Sequence, residues 1–324
     1  MDKLSTIKSP VAAELEQFKE LFNSSLVSSN PLLSQALAYI KQRNGKMMRP
    51  ILVLLTARLF GKVIDATLYS AVSLELLHTA SLVHDDVVDE SSQRRGQASV
   101  NAIYNNKVSV LVGDYLLATC LVHASRTLNH RIVEVIACLG QDLSEGEILQ
   151  LSNVSNEKVS ENIYFDVIRK KTAALFAAAT KAGALSVGAD DEKVEKARLL
   201  GEYIGICFQI KDDIFDYYNE LEIGKPTGND MHEGKLTLPA IYALNTTLDE
   251  TAWSLAHKVK EGEATDEEIG LLIEFSKQNG GIEYANQMMF EYRDRAEKLI
   301  EGLADTEIKL ALIEYLNYVI NRVK

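Results

Sequence analysis

The 324-residue chain has little that would break or cross-link a fold: five prolines, 18 glycines and three cysteines. So few breakers argue against a strand-rich architecture and favour long helices with few turns. The cysteines, Cys120, Cys138 and Cys207, are unevenly spaced in apolar surroundings. They form neither a disulfide framework nor a zinc pattern and read as buried free thiols of a reducing compartment. The opening "MDKLSTIKSP" lacks the apolar core of a secretion signal. No uninterrupted apolar run reaches membrane-spanning length, so a cytoplasmic chain without a transmembrane segment is expected. Positive charge is also scarce. With 34 Lys and Arg against 46 Asp and Glu, the net charge is −12, which argues against nucleic acid or an anionic membrane surface as the main partner. An anionic substrate would need cations gathered locally.

What is present is helical periodicity. Hydrophobic residues make up 47% and charged residues 25% of the chain, the balance of a globular protein. Ser9 as cap and Pro10 at the first position open one amphipathic helix, and Asn30 with Pro31 opens a second that stops at Gly45. "RPILVLLTARLFG" is apolar nearly all round and reads as a central helix. A long helix begins at Asp65 and ends in the polar loop "SSQRRGQAS". Helices are expected from about Val100 to Leu128, Arg131 to Leu151, Glu157 to Gly183 and Asp191 to Glu220. After the loop "GKPTGNDMHEGK" they resume to the C-terminus, where "ATDEEIGLLIEFSKQNGG" has a capped start and a glycine end. No alternating strand pattern and no Gly-, Ser- or Pro-rich linker is visible. The expectation is one all-α domain over residues 1–324.

Two apolar helical stretches each hold three acids: "LVHDDVVDES", Leu82 to Ser91, and "QIKDDIFDYY", Gln209 to Tyr218. Residues four apart share a helix face, so Asp85 pairs with Asp89 and Asp212 with Asp216. Asp86 and Asp213 point about 100° away. Paired carboxylates repel unless a cation lies between them, and oxygen-only ligands suit Mg²⁺ with phosphate and water completing its shell. A single such motif reads equally well as a solvated acidic helix end. Two, each beside an apolar run where an unpaired carboxylate is costly, favour metal sites. Zinc does not fit, because no Cys or His joins the acids at ligand spacing and His84 points off the Asp85/Asp89 face.

Basic residues follow each motif: Arg94 and Arg95 in "RRG", then Lys225 and Lys235 in "GKPTGNDMHEGK". Lys46 and Arg49 in "NGKMMRP", and Lys171 with Thr172 in "RKKTAALF", complete the set. Adjacent glycines leave backbone free to approach phosphate, although none of these loops has the Walker A order. Singly, each cluster reads as surface charge. Together with two Mg²⁺ platforms they point to a polyphosphate, and to two such ligands. A diphosphate held between Mg²⁺ and Lys or Arg is a good leaving group. If it leaves an allylic carbon, apolar walls, the Thr172 hydroxyl and the Gln209 amide could face the carbocation.

In motif order, "GKMMRP", "LLHTASLVHDDVVDESSQRRG", "VLVGDYLLA", "RKKTAALF", "FQIKDDIFD", "GKPTGND" and "GK" make the chain resemble the all-trans polyprenyl diphosphate synthases along essentially its whole length. The resemblance implies a bundle of long, mostly antiparallel helices around a central cavity, usually as a homodimer. It implies head-to-tail condensation of isopentenyl diphosphate with an allylic diphosphate, farnesyl or geranyl diphosphate, with three Mg²⁺ ions per site. It assigns Asp85 and Asp89 to two Mg²⁺ ions and Asp212 to the third. Asp86, Asp213 and Asp216 would act on metal through water and outer hydrogen bonds. Arg94, Lys171 and Lys225 would clamp the allylic diphosphate, with Lys235 as a further phosphate contact. Lys46, Arg49, His78 and Arg95 would bind isopentenyl diphosphate, and Thr172 and Gln209 would face the carbocation. Asp114 matches a family position, where a structural salt bridge reads equally well. His78 lies two turns before Asp85 on the same face, which favours a binding role over that of a core histidine.

The first motif lacks the two-residue insertion of many bacterial short-chain enzymes. Ala80 and Ser81 stand where aromatic residues would close the tail pocket, and Leu77 lies a turn deeper. Small residues here imply an open channel and a product of heptaprenyl to nonaprenyl length for a quinone side chain, with the floor in "EVIACLGQDL". The alternatives are a short-chain farnesyl or geranylgeranyl diphosphate synthase, a terpene cyclase or head-to-head synthase, and a non-catalytic synthase subunit.

Overall fold

A computed structural model describes residues 3–42, 45–94, 96–154, 159–218, 227–304 and 306–322. The chain is all-α, as expected. Its helices are α1 Lys3–Lys8, α2 Ala12–Ser25, α3 Pro31–Gln42, α4 Met48–Phe60, α5 Asp65–Val88, α6 Val100–Tyr104, α7 Asn106–Arg126 and α8 His130–Val154. They continue with α9 Glu161–Ile168, a π-helical segment Arg169–Ala173, α10 Ala174–Ser186, α11 Asp191–Phe215, α12 Asn229–His232 and α13 Leu238–Thr247. The last are α14 Glu250–Glu261, α15 Asp266–Gln278, α16 Gly281–Glu301 and α17 Glu307–Asn321. Among the described residues the strands are two-residue pieces, Gln93–Arg94 paired antiparallel with Gln97–Ala98 inside the first polar loop. Such a short ladder has no alternating pattern to read from sequence.

Two compact units are present. The first comprises Met1–Gln141, Leu175–Gly201 and Ala304–Leu312. Its centre is α4, where every side chain from Pro50 to Ala57 is buried, as an all-apolar helix requires. Helix α10 reaches α4 closely because Gly183 has no side chain: a Cβ there would lie 2.5 Å from the Val53 carbonyl oxygen. Helix α7 lies against α5 in the same manner. A Cβ on Gly113 would fall 2.1 Å from His84 Nε2, and that nitrogen sits 3.1 Å from the Val110 carbonyl oxygen and 3.5 Å from Asp114.

The second unit comprises Asp142–Ala174, Glu202–Leu303 and Ile313–Lys324. Buried Tyr217, just past α11, hydrogen-bonds Thr237 at 3.0 Å and accepts the Ala240 amide at 3.2 Å, tying α11 to the start of α13. The Cys207 thiol donates to the Met289 carbonyl at 3.4 Å, joining α11 to α16.

Several local expectations change. Ser9 caps nothing; it lies in a 3-10 turn that continues from α1. Asn30 does cap α3, its Oδ1 accepting the Leu33 amide at 3.1 Å. The helix expected over Val100 to Leu128 is two, because Asn105 takes a φ of 72° and its side chain caps α7 through the Val108 amide; asparagine tolerates that region better than most residues. Thr265 and Glu268 form a reciprocal capping box at α15. All three cysteines are free, but Cys138 is exposed because it falls on the outer face of amphipathic α8. Helix α7 is long and apolar enough to span a membrane by length and composition, with a mean hydropathy of 1.5. Counting uninterrupted runs missed it, since Asp114 divides the stretch. Its inner residues Val112, Leu116 and Cys120 are buried, while Leu111, Leu121 and Val122 are exposed.

Candidate active site

Both acid motifs end their helices. Asp85 and Asp86 occupy the last turn of α5 and Asp89 is its C-cap. Asp212 and Asp213 occupy the last turn of α11, and Asp216 follows its end. A helix C-terminus carries partial negative charge, so acids there are unfavourable unless a cation joins them. Each motif therefore concentrates carboxylate and carbonyl charge at one point.

Within each motif the middle acid is buried and bound, as the 100° offset foretells. Asp86, 1% exposed, accepts from Arg94 Nε at 2.6 Å. The Asp86 carbonyl also accepts from the Asn101 side chain at 3.1 Å. Asp213, 3% exposed, accepts from Tyr164 Oη at 2.6 Å and from Gln209 Nε2 at 2.7 Å. Burial pushes the Asp213 carboxyl up to about 7, partly offset by those two donors. In the first motif Asp85 is half-buried and Asp89 exposed.

The outer acids of the second motif already have protein partners. Asp212 pairs with Arg322 at 2.8 Å. Asp216 accepts the Asn229 and Asp230 amides at 2.9 and 3.0 Å, which fixes the start of α12. Arg322 is anchored besides: it donates to the Phe208 carbonyl at 2.9 Å and lies 3.8 Å from the Phe208 ring centroid.

A cavity of about 240 Å³ opens in the second unit, lined by Tyr164, Lys171, Thr172, Gln209, Asp213, Asp230, Lys235 and Lys260 among others. Lys171 and Thr172 belong to the π-helical segment, a distortion often found at functional sites. Gly146 admits that segment, since a Cβ there would lie 3.0 Å from the Lys171 amide nitrogen. Lys171 pairs with Glu147. The Gln150 amide, with its oxygen turned inward, sits 3.2 Å from Lys171 Nζ and 3.3 Å from Lys235 Nζ, so the two ammonium groups converge. Thr172 donates to Gln209 Oε1 at 2.6 Å.

Of the other residues singled out from sequence, Lys46 is exposed beside Met47, which holds a φ of 57°. Arg49 is half-buried over the Phe176 ring at 5.5 Å. His78 is half-buried, and its carbonyl accepts from the Ser81 hydroxyl at 2.9 Å. Ala80 is 0% and Leu77 6% exposed, and Leu77 Cδ1 lies 4.0 Å from where a Gly140 Cβ would be. Gly140 falls in the stretch expected to hold the floor. Arg95 and Lys225 lie outside the described residues.

Sequence reasoning missed Tyr164, Gln150, Asp230, Lys260 and Arg322. Tyr164 lies two turns before Lys171, and Asp230 sits inside the loop already singled out, so spacing could have raised both. Lys260 is 7% exposed and burial lowers its pKa. Burial, then the nearby Asp213, raises Asp230.

Among the described residues no three His, Cys, Asp or Glu side chains converge as a metal-binding cluster. The donor chemistry still fits a hard cation that takes one or two carboxylates and completes its shell with phosphate and water. Oxygen ligands at negative helix ends suit such a cation, Asp85 and Asp89 in the first unit and, separately, Asp212 in the second.

An all-helical fold with two acid-rich helix ends and a lysine-lined cavity defines the class of isoprenoid synthases, and solved structures of that class match throughout. The geranylgeranyl pyrophosphate synthase of Bacteroides thetaiotaomicron is 61% identical, with a TM-score of 0.88 over 99% of this chain and 100% of that one. The decaprenyl diphosphate synthase of Rhodobacter capsulatus is 36% identical, with a TM-score of 0.93 over 99% of each. Octaprenyl diphosphate synthase of Haemophilus influenzae is 35% identical over 97% of this chain and 94% of its own. The polyprenyl synthetase family model matches residues 30–274, and the chain belongs to that family. It is a prenyltransferase that extends all-trans prenyl chains, and its family uses metal ions with isopentenyl and allylic diphosphates as substrates.

Proposed function

We propose that the chain makes a long all-trans polyprenyl diphosphate, of heptaprenyl to nonaprenyl length and destined for a quinone side chain. It would act as one domain and as a cytoplasmic homodimer whose second copy covers the apolar outer stripe of α7. The observation that carries the chemistry is the cavity wall on which Lys171, Lys235, Thr172 and Gln209 meet. Asp85, Asp89 and Asp212 would hold three Mg²⁺ ions, with Asp86, Asp213 and Asp216 acting on the metals through water and outer hydrogen bonds. Bound there, Mg²⁺ would neutralise charge on the departing diphosphate.

Arg94, Lys171, Lys225 and Lys235 bind the allylic diphosphate, and Lys46, Arg49, His78 and Arg95 bind isopentenyl diphosphate. The Gln209 carbonyl and Thr172 hydroxyl present oxygen dipoles to the allylic cation while apolar walls keep water away. Small Ala80 and Ser81, with Leu77, leave room for a tail beyond 20 carbons.

A second reading, arrest at 20 carbons, is favoured by the 61% identity to a geranylgeranyl pyrophosphate synthase. Incubation with farnesyl diphosphate, isopentenyl diphosphate and Mg²⁺, followed by chromatography of the dephosphorylated products, separates the two. Products of 35 to 45 carbons support the long-chain reading; products of 20 carbons only overturn it in favour of the second. Hydrocarbon formed from the allylic diphosphate alone would sink both.

A further inference from the structure

Four side chains of the second unit form one directed set of hydrogen bonds. Thr172 donates to Gln209 Oε1, Gln209 Nε2 donates to Asp213 Oδ1, and Tyr164 Oη donates to Asp213 Oδ2, at 2.6, 2.7 and 2.6 Å. The two ends of an amide are nearly the same size, so packing alone does not choose between them. Here hydrogen bonding chooses. The Asp213 carboxylate accepts the amide NH₂, which turns the Gln209 carbonyl towards Thr172 on the cavity wall.

The set closes on itself. Tyr164 lies on α9 and Thr172 on the π-helical segment that continues it, while Gln209 and Asp213 stand one turn apart on α11. The α9 segment therefore grips α11 at two points, once through Thr172 and once through Tyr164. Tyr164 is 7% exposed, its ring set edge-on against Phe165 at 5.3 Å between centroids, which fixes the direction of its hydroxyl. With Asp213 held from that side, the carboxylate cannot turn away from Gln209.

We infer that Tyr164 is a positioning residue: through Asp213 it sets which end of Gln209 faces the reacting carbon. The inference rests on the reading of Thr172 and Gln209 as the pair that faces the allylic cation. When the allylic C–O bond breaks, its electron pair goes to the diphosphate oxygen. In elongation the double bond of isopentenyl diphosphate supplies the pair for the new C–C bond and leaves a tertiary cation; the carbon next to that cation loses a proton to the released diphosphate, and the C–H pair forms the new double bond. In the competing reaction a water oxygen supplies the pair, its proton passes to the diphosphate, and an allylic alcohol is released. A misplaced Gln209 shifts the partition towards the alcohol and leaves diphosphate binding intact.

The test is Tyr164→Phe in the full-length protein, assayed with farnesyl diphosphate, isopentenyl diphosphate and Mg²⁺. The expected result is a kcat lowered roughly 10- to 100-fold by misalignment, KM for both substrates within about two-fold, and a raised fraction of farnesol. Against a Gln209→Met background the same substitution should add little, because its effect passes through Gln209. Unchanged kcat and farnesol fraction, or an equal loss in both backgrounds, would overturn the inference. If Tyr164→Phe does not fold, Asp213→Asn reads the same link: a raised farnesol fraction supports it and an unchanged one refutes it. Failure of the wild type to elongate at all would fell the parent reading as well, whereas a wild type that elongates beside an indifferent Tyr164→Phe fells this inference alone.

Discussion

Arg322→Met removes a guanidinium from the second acid motif while keeping an apolar stem of similar length. Arg322 is 10% exposed and Asp212 31% exposed. The ion pair, discounted for that exposure, contributes about 1 kcal/mol. The bond to the Phe208 carbonyl adds about 1 kcal/mol, and the cation–π contact at 3.8 Å a similar amount. Methionine recovers part of the packing, so a net loss of about 2 kcal/mol is expected, a fall in Tm of roughly 3 °C for a chain of this size. Metal binding should respond in the opposite sense. A fixed positive charge beside Asp212 repels a divalent cation by about 1–2 kcal/mol, so its removal should tighten Mg²⁺ binding roughly 10-fold. Thermal denaturation in EDTA, and then across a Mg²⁺ titration with and without pyrophosphate, measures both effects. A variant with the wild-type Tm in EDTA and the wild-type Mg²⁺ response would refute the reasoning, because it would mean that the Arg322–Asp212 pair carries no energy in solution.

Asp85→Ala or Asp212→Ala should lower turnover by a factor on the order of 10³ while circular dichroism stays helical; near-normal turnover with Mg²⁺ present would exclude these residues as metal ligands. Ala80→Phe should shorten the product, read by chromatography of the dephosphorylated prenols, and an unchanged chain length would remove Ala80 from the tail path. Under native conditions an aromatic disulfide reagent should label one thiol per chain, Cys138, because burial pushes Cys120 and Cys207 up to about 12; three equivalents should react in denaturant.

The helices were legible because their signals are local. Period 3.6 marks α2 and α3 and an unbroken apolar run marks α4, the Asn30 side chain reaches only three residues to cap α3, and the Thr265–Glu268 box is complete within four. Where a local signal had a competitor, the structure went elsewhere. Ser9 yielded to a helix already running from Lys3, and Asn105 divided a helix that apolar periodicity alone would have continued.

The acid motifs were legible for the same reason. Four-residue spacing placed Asp85 and Asp89 on one face and turned Asp86 and Asp213 inward, and the order of acids and cations along the chain identified the family. Spacing says nothing, however, about which distant group meets each inward acid. Arg94 on Asp86 comes from a loop eight residues on. Tyr164 on Asp213 comes from a remote helix and Arg322 on Asp212 from just past the last one, and neither pairing was visible before folding brought the partners close. The π-helical turn under Lys171 and Thr172 likewise accompanies the approach of Gly146 to that backbone, a contact no local propensity encodes. By itself the sequence determined that this chain is helical, where its carboxylates and cations lie, and the chemistry they share. Only the tertiary structure decided which of them are held fast and by what, because burial and hydrogen-bond partners depend on neighbours distant along the chain.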